Sequence, residues 1–332
     1  PLHSETCSIP FETSRSLNSL QAMDMKDAVS LKKFLDSFSL DLIGEPPLDT
    51  DILAGLLDRS GFELLKAFSV ATTQGFACKR SAPGEAPYVV VAFRGTEGKI
   101  SEWLTNADVV PKDIGKAKVH SGFWKAFNEP ENRAGPTVAD VVSGIMADSR
   151  ALDQNGDPLP LFFTGHSLGG ALALMATQAL APNIDGACYT FGAPRVANYE
   201  YFKDIKTPVF RVVNSSDIVP RVPPGASMRI LVGLARLLSW LTSLMPAISS
   251  IFDKLEKFLD RLNGYRHVGD LRYLTDVAAG RFNDVRLLSN PPAIDRIIWI
   301  WKNMAAGILV PVKSHSMSIY RKKLQHIATD RM

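Results

Sequence analysis

Cysteine is scarce in this sequence of 332 residues: Cys7, Cys78 and Cys188 are odd in number and far apart. That argues against a disulfide framework or a cysteine metal cluster and leaves free or buried thiols as the expectation. A strong charge imbalance is also lacking. The 37 Lys and Arg against 34 Asp and Glu give a formal net charge of +3. Aromatic residues are not interleaved with basic runs and no zinc-finger spacing occurs, so no nucleic-acid partner is expected. No apolar signal segment stands at the start, which is Pro1, although a removed one would leave no trace. The longest apolar stretch, Ile230 to Phe252, is interrupted by Arg236 and Pro246, which argues against a membrane-spanning helix.

What is present is the make-up of a packed protein. Apolar residues are 46% and charged residues 21% of the chain, the balance of a globular domain rather than a disordered one. The length suits one large α/β domain with additions. No repeat or low-complexity linker divides the chain, so residues 1–332 read as a single domain.

The order of elements narrows the fold. A helix-like segment runs from about Met25 to Phe38 and breaks at GEPP, and residues 51–70 carry apolar spacing of helical type. Residues 1–70 are therefore expected to be a helical cover over a sheet edge. After them YVVVAF at 88–93 is a continuous apolar run of strand length. LPLFFT at 159–164, ACYTFG at 187–192 and VFRVVN at 209–214 repeat that signature, with helical patterns between them. Alternation of this kind predicts a mostly parallel sheet flanked by helices on both faces.

Residues 226–263 depart from that rhythm. Leu231, Leu234, Leu238, Leu241 and Met245 are spaced by three and four, and Ile248 to Leu262 form a second apolar face with charges opposite. Pro246 separates the two, so a helical hairpin with wide apolar faces is expected. It is read as a pair packed on the body, a mobile cap, or an element that docks on a lipid surface.

LFFTGHSLGGALALMA has the form strand, Gly-x-Ser-x-Gly, helix. A serine hydroxyl is a poor nucleophile and must project from a tight, strained turn toward a base and a carbonyl. Ser167 is the candidate nucleophile. Gly165 and Gly169 are required because side chains there would collide with the adjoining strand and helix. The helix that follows aims its first amides at an oxyanion formed on attack. His166 adjoins Ser167 but points elsewhere, and is read as a packing residue of the turn or a substrate contact.

An elbow of this kind is followed along the chain by an acid and then a histidine. Asp217 lies in a short loop directly after the 209–214 strand, where a carboxylate can orient an imidazole. Asp185 and Asp204 sit in less informative loops. Two histidines remain for the base. His267 leads into the strand-like VGDLRYL, while His315 follows an apolar segment and opens a helix-like stretch. The residues alone favour His315 and leave His267 open.

Together VVVAFRGT, WLTNAD, VHSGF, TGHSLGGALA, YTFGAPRVAN, RVVNSSDIVPRVPP, YRHVGDLRYL and SHSMSIY resemble the fungal-type, or class 3, lipases of the α/β-hydrolase superfamily. The likeness runs over roughly residues 70–320 in the family's order, apart from 226–263. It implies an α/β-hydrolase fold and a triad of Ser167, Asp217 and His315, with His267 in a structural segment. Ser314 stands where family members often carry Asp. The likeness further implies an oxyanion hole made by Thr96 and the Leu168 amide, and a lid-like segment at 97–108 in which Trp103 either lines the acyl site or packs the helix.

The function expected from that resemblance is carboxylic-ester hydrolysis on a lipid ester, foremost as a triacylglycerol lipase. Phospholipase A1 and short-chain or feruloyl esterase are the alternatives within the fold, and an inactive membrane-associated binding protein is the alternative outside enzymes. No metal or organic cofactor is expected, since the chemistry is complete without one. Peripheral contact with a membrane or lipid droplet through 226–263 is the expected partner surface. Oligomeric state and compartment stay undetermined.

Overall fold

The computed structural model describes residues 49–95, 111–223, 264–275, 285–296 and 313–329, with Leu237 and Trp240 as isolated positions. The expected helix at 25–38 lies outside these residues, as do the 97–108 segment and the rest of the 226–263 insertion. Leu237 and Trp240 are helical and exposed. Among the described residues no helix is long and apolar enough to cross a membrane.

The first described helix, α1 (Thr50–Arg59), starts because the Asp49 carboxylate accepts the amides of Asp51 and Ile52 at 3.1 and 3.0 Å. It buries Leu53 and Leu57. The helical reading of 51–70 holds only this far. Gly61, at φ 77°, turns the chain into strand β1 (Phe62–Val70). The register of β1 shifts between Leu64 and Lys66, so Phe62, Leu65 and Phe68 are buried at three-residue intervals. That bulge is what imitated helical spacing in the sequence.

Strand β1 pairs antiparallel with β2 (Thr73–Arg80), and β2 pairs antiparallel with β3 (Tyr88–Phe93). A two-stranded ribbon, β4 (Pro111–Ile114) and β5 (Ala117–His120), lies outside the main sheet. From β3 the pairing becomes parallel through β6 (Leu161–His166), β7 (Gly186–Phe191), β8 (Val209–Asn214) and β9 (Asp270–Leu274). The short β10 (Leu287–Ser289) closes the far edge antiparallel to β9. The eight strands stand in the order β1-β2-β3-β6-β7-β8-β9-β10.

Both sheet faces are buried, which explains the continuous apolar strands. Val89, Val91 and Phe93 of β3 face one core, shared with helices α2 (Ser121–Asn128), α3 (Val138–Met146) and α4 (Leu168–Leu180). Tyr88, Val90 and Ala92 face the other, closed in part by α1. A short helix α5 (Tyr199–Phe202) follows β7. On the α1 face, Phe191 and Val212 pack against Tyr320 and Ile327 of helix α6 (Met317–Thr329). Cys78 and Cys188 are buried free thiols, and burial pushes the Cys188 thiol up to about 12. A cavity of about 330 Å³ lined by Val89, Leu159 and Leu161 opens at the start of β3 and β6, the end of the sheet away from the elbow.

Candidate active site

Ser167 joins β6 to α4 with φ 56° and ψ −124°, a conformation that side-chain-bearing residues seldom adopt. The turn survives because its neighbours over-determine it. The Ser167 amide donates to the Phe191 carbonyl of β7 at 2.9 Å. A Cβ on Gly165 would lie 2.3 Å from the Gly169 carbonyl, and one on Gly169 would lie 2.2 Å from the Phe93 carbonyl. Only bare backbone lets β6, β3 and α4 meet this closely. Leu168 is the first residue of α4, so its amide lies at the helix N-terminus beside the serine. Thr96 and Trp103 lie outside the described residues.

Asp217 follows β8 and is fully buried. Its carboxylate accepts the Val219 amide at 2.9 Å and the Tyr320 hydroxyl at 2.5 Å. The same carboxylate meets His315 Nδ1, at 2.8 Å from Oδ2 and 3.0 Å from Oδ1. A carboxylate can only accept, so Nδ1 carries the proton and Nε2 is left with its lone pair. Nε2 is itself buried, without a hydrogen-bond partner among the described residues. His315 ends a short 3-10 turn (Lys313–His315) that leads into α6.

The two histidines left open by the sequence have different partners. His267 donates from Nε2 to the Pro220 carbonyl at 2.7 Å. Its pKa is held well below 6.5, first by burial and then by the charges of Arg211 and Arg195. It therefore ties the chain before β9 to the loop after Asp217. His166 is a packing residue in the same sense. Its Nε2 donates to the His315 carbonyl at 2.6 Å, and its ring lies 4.5 Å from the His315 ring and 5.8 Å from Tyr320. Burial above all, then the neighbouring His315, lowers its pKa to about 3.

Four further residues build the site without having been singled out in the sequence. Gly192, at φ 58°, lies flat against the pair: a Cβ there would be 2.8 Å from Asp217 Oδ2 and 3.1 Å from the imidazole. Tyr320 joins the Asn214 amide to Asp217, accepting the first at 2.9 Å. Asn214 donates from its side chain to the Ser314 carbonyl at 2.8 Å, and Lys323 donates to Asn214. The glycine after a strand in YTFGAP was a readable signal. The other three depend on α6 docking beside β8, which no local pattern announces.

No group of three or more His, Cys, Asp or Glu among the described residues is arranged to hold a metal ion. What the arrangement offers is a strained serine at a helix N-terminus and a histidine with a free lone pair, oriented by a buried carboxylate. Those are the parts of nucleophilic acyl transfer.

Comparison with known proteins points the same way. Residues 90–227 match the family described as lipase (class 3). A lipase of Rhizomucor miehei is 34% identical over 152 residues, which cover 42% of this chain and 38% of that protein. The chloroplastic phospholipase A1-Igamma2 of Arabidopsis thaliana is 27% identical over 229 residues, 55% of this chain and 43% of the relative. The chain thus spans less than half the length of either. The crystal structure of a lipase from Rhizopus microsporus var. chinensis superposes with a TM-score of 0.50 at 21% identity, covering 84% of this chain and 83% of the other. With the sheet order above, that likeness gives the chain the α/β-hydrolase fold.

Proposed function

We propose that the chain is a serine hydrolase of lipid carboxylic esters and a member of the class 3 lipase family, whose model its residues 90–227 match. The observation that carries the proposal is the buried Asp217–His315 pair, together with a Ser167 held at φ 56° directly after His166, whose ring lies 4.5 Å from that of His315. In this reading Ser167 Oγ attacks the ester carbonyl while His315 Nε2 takes its proton. Asp217 keeps the imidazole in the Nδ1–H form and stabilises its charged state. The Leu168 amide and Thr96 receive the oxyanion, and the proton passes to the leaving alcohol. Water, activated by the same histidine, then releases the fatty acid from the acyl-enzyme.

The preferred substrate in this reading is a triacylglycerol. A phospholipase A1 reading is kept beside it because the plant relative bearing that name aligns over 229 residues, against 152 for the fungal lipase. Initial rates on a triolein emulsion and on phosphatidylcholine vesicles decide between them. Equal failure on both, with failure on p-nitrophenyl esters, would leave only a non-enzymatic binding role.

Contact with a lipid surface through 226–263 belongs to the same proposal. Its support is that Leu237 and Trp240, one helical turn apart, are 49% and 70% exposed. Deleting 226–263 should weaken flotation with anionic vesicles and lower activity on emulsions. Unchanged flotation and activity would remove this part of the reading.

A further inference from the structure

Lys323 is a buried lysine that has no part in the chemical steps proposed above. It is 3% exposed, and its Nζ donates to Asn214 Oδ1 at 2.6 Å and to the Thr275 carbonyl at 2.9 Å. Burying an ammonium group is costly unless its donors are satisfied, so the placement calls for an account. The two acceptors stand at the ends of neighbouring parallel strands: Asn214 closes β8, and Thr275 follows β9.

Helix periodicity connects this lysine to the acid. Tyr320 and Lys323 are three residues apart in α6 and share a face. Tyr320 takes the Asn214 amide and gives its own proton to Asp217, while Lys323 takes the Asn214 side chain. Asn214 then has one outlet left, its side-chain NH2, which donates to the Ser314 carbonyl at 2.8 Å.

The lysine decides which way that amide faces. An ammonium group has only donors, so the Asn214 oxygen must face Nζ and the NH2 must face Ser314. A flipped amide would set donor against donor at Lys323 and acceptor against acceptor at Ser314. The Ser314 carbonyl belongs to the peptide bond that leads into His315. The carbonyl on the other side of His315 is taken by His166. Both peptides around the imidazole are therefore held from the sheet, one from the end of β8 and one from the end of β6.

We propose that Lys323 is a positioning residue, whose ammonium group fixes the Asn214 amide and so holds the Ser314 carbonyl and aims His315 at Asp217. It acts through Asn214 and touches no substrate. The inference rests on the reading of His315 as the base, and the experiment separates the two.

Three variants of the full chain test it: Lys323→Met, Lys323→Arg and Asn214→Asp. The Asp variant keeps an acceptor for Nζ but has no NH2 to give, and it sets a carboxylate oxygen against the Ser314 carbonyl. Each is measured per folded molecule for kcat and KM on a soluble p-nitrophenyl ester, for the rate of Ser167 labelling by a fluorophosphonate, and for thermal unfolding. The low-field proton resonance of His315 Nδ1–H, assigned by its loss in His315→Gln, is recorded as well.

Lys323→Met and Asn214→Asp should each lower kcat and labelling about 30- to 100-fold, the scale of a small misplacement of a catalytic group, with KM within about twofold. Both should lose or broaden the low-field proton. Lys323→Arg should recover most of the rate, and Asn214→Asp should do its damage while unfolding near the wild-type temperature. Full rates per folded molecule, or an unchanged low-field proton in both damaging variants, would overturn the proposal. Should wild type neither label nor turn over ester, the hydrolase reading falls. The proton resonance still decides the positioning claim, which stands if Lys323→Met loses the resonance and fails if it keeps it.

Discussion

His166 Nε2 lies 2.6 Å from the carbonyl oxygen of His315, so the residue next to Ser167 holds the peptide of the histidine proposed as base. The two are 149 positions apart in the chain. With its pKa lowered to about 3, chiefly by burial, His166 is neutral at working pH and offers one N–H, which the carbonyl takes. Replacing His166 by Phe keeps the ring packing on His315 and Tyr320 and removes the donor. We expect kcat to fall about tenfold, the worth of one hydrogen bond near its upper range, with KM little changed. Steady-state kinetics on a soluble ester checks it, and an unaltered kcat would assign His166 to packing alone.

Gly192 should tolerate no side chain. Its φ of 58° disfavours any Cβ, and a methyl group would sit 2.8 Å from the Asp217 carboxylate. Gly192→Ala should lose at least about 100-fold in Ser167 labelling by a fluorophosphonate, because a shift of less than an ångström in the acid–base pair suffices. Circular dichroism on the same sample should show a folded protein.

Ser167→Ala and His315→Ala should abolish ester turnover and leave folding intact. His267→Ala should do the reverse: it opens a buried hydrogen bond to Pro220 and should cost about 1–3 kcal/mol of stability. Activity retained by His315→Ala and lost by a well-folded His267→Ala would exchange their roles.

Acid should destabilise this protein through the same two inner histidines. His166 and His267 have folded pKa values below the usual 6.5, so above about 6.5 both states are neutral and nothing is lost. As pH falls through 6.5 the unfolded chain binds two protons that the folded chain refuses. Stability then drops by about tenfold in the folding constant per pH unit per histidine. For His166 the loss runs down to about pH 3. Urea midpoints taken between pH 7 and 5 should fall steadily, and His267→Gln should remove about half of that slope. A slope unchanged in His267→Gln would contradict the assignment.

The strands of the sheet's centre were legible because each is buried on both faces and reads as an unbroken apolar run. YVVVAF forms β3 over the residues expected, 88–93, and the elbow glycines collide with backbone as their place in the turn required. The edge was not legible. In β1 a register shift at Leu64/Lys66 gave the burial of a helix, and β2, which carries Gly75, Lys79 and Arg80, lacks a strand's apolar signature. Ser167 and Asp217 were singled out from local motifs and their order along the chain, and His315 was favoured over His267, which the residues alone left open; the structure pairs Asp217 with His315. Tyr320, Asn214 and Lys323 were not singled out, because their partners are set by how α6 lies against the ends of β8 and β9. Side chains that meet across about a hundred residues leave no spacing to read.

Helix α6 supplies the Tyr320 and Lys323 contacts and directly follows the turn that ends in His315. This has a consequence for biosynthesis. On the proposed triad, a ribosome that has reached residue 300 has already made Ser167 and Asp217 but neither His315 nor Tyr320, whose hydroxyl donates to Asp217. Hydrolytic competence should therefore arise in one late step, when residues through α6 have left the exit tunnel and docked. Truncated translation products should be inert toward lipid esters.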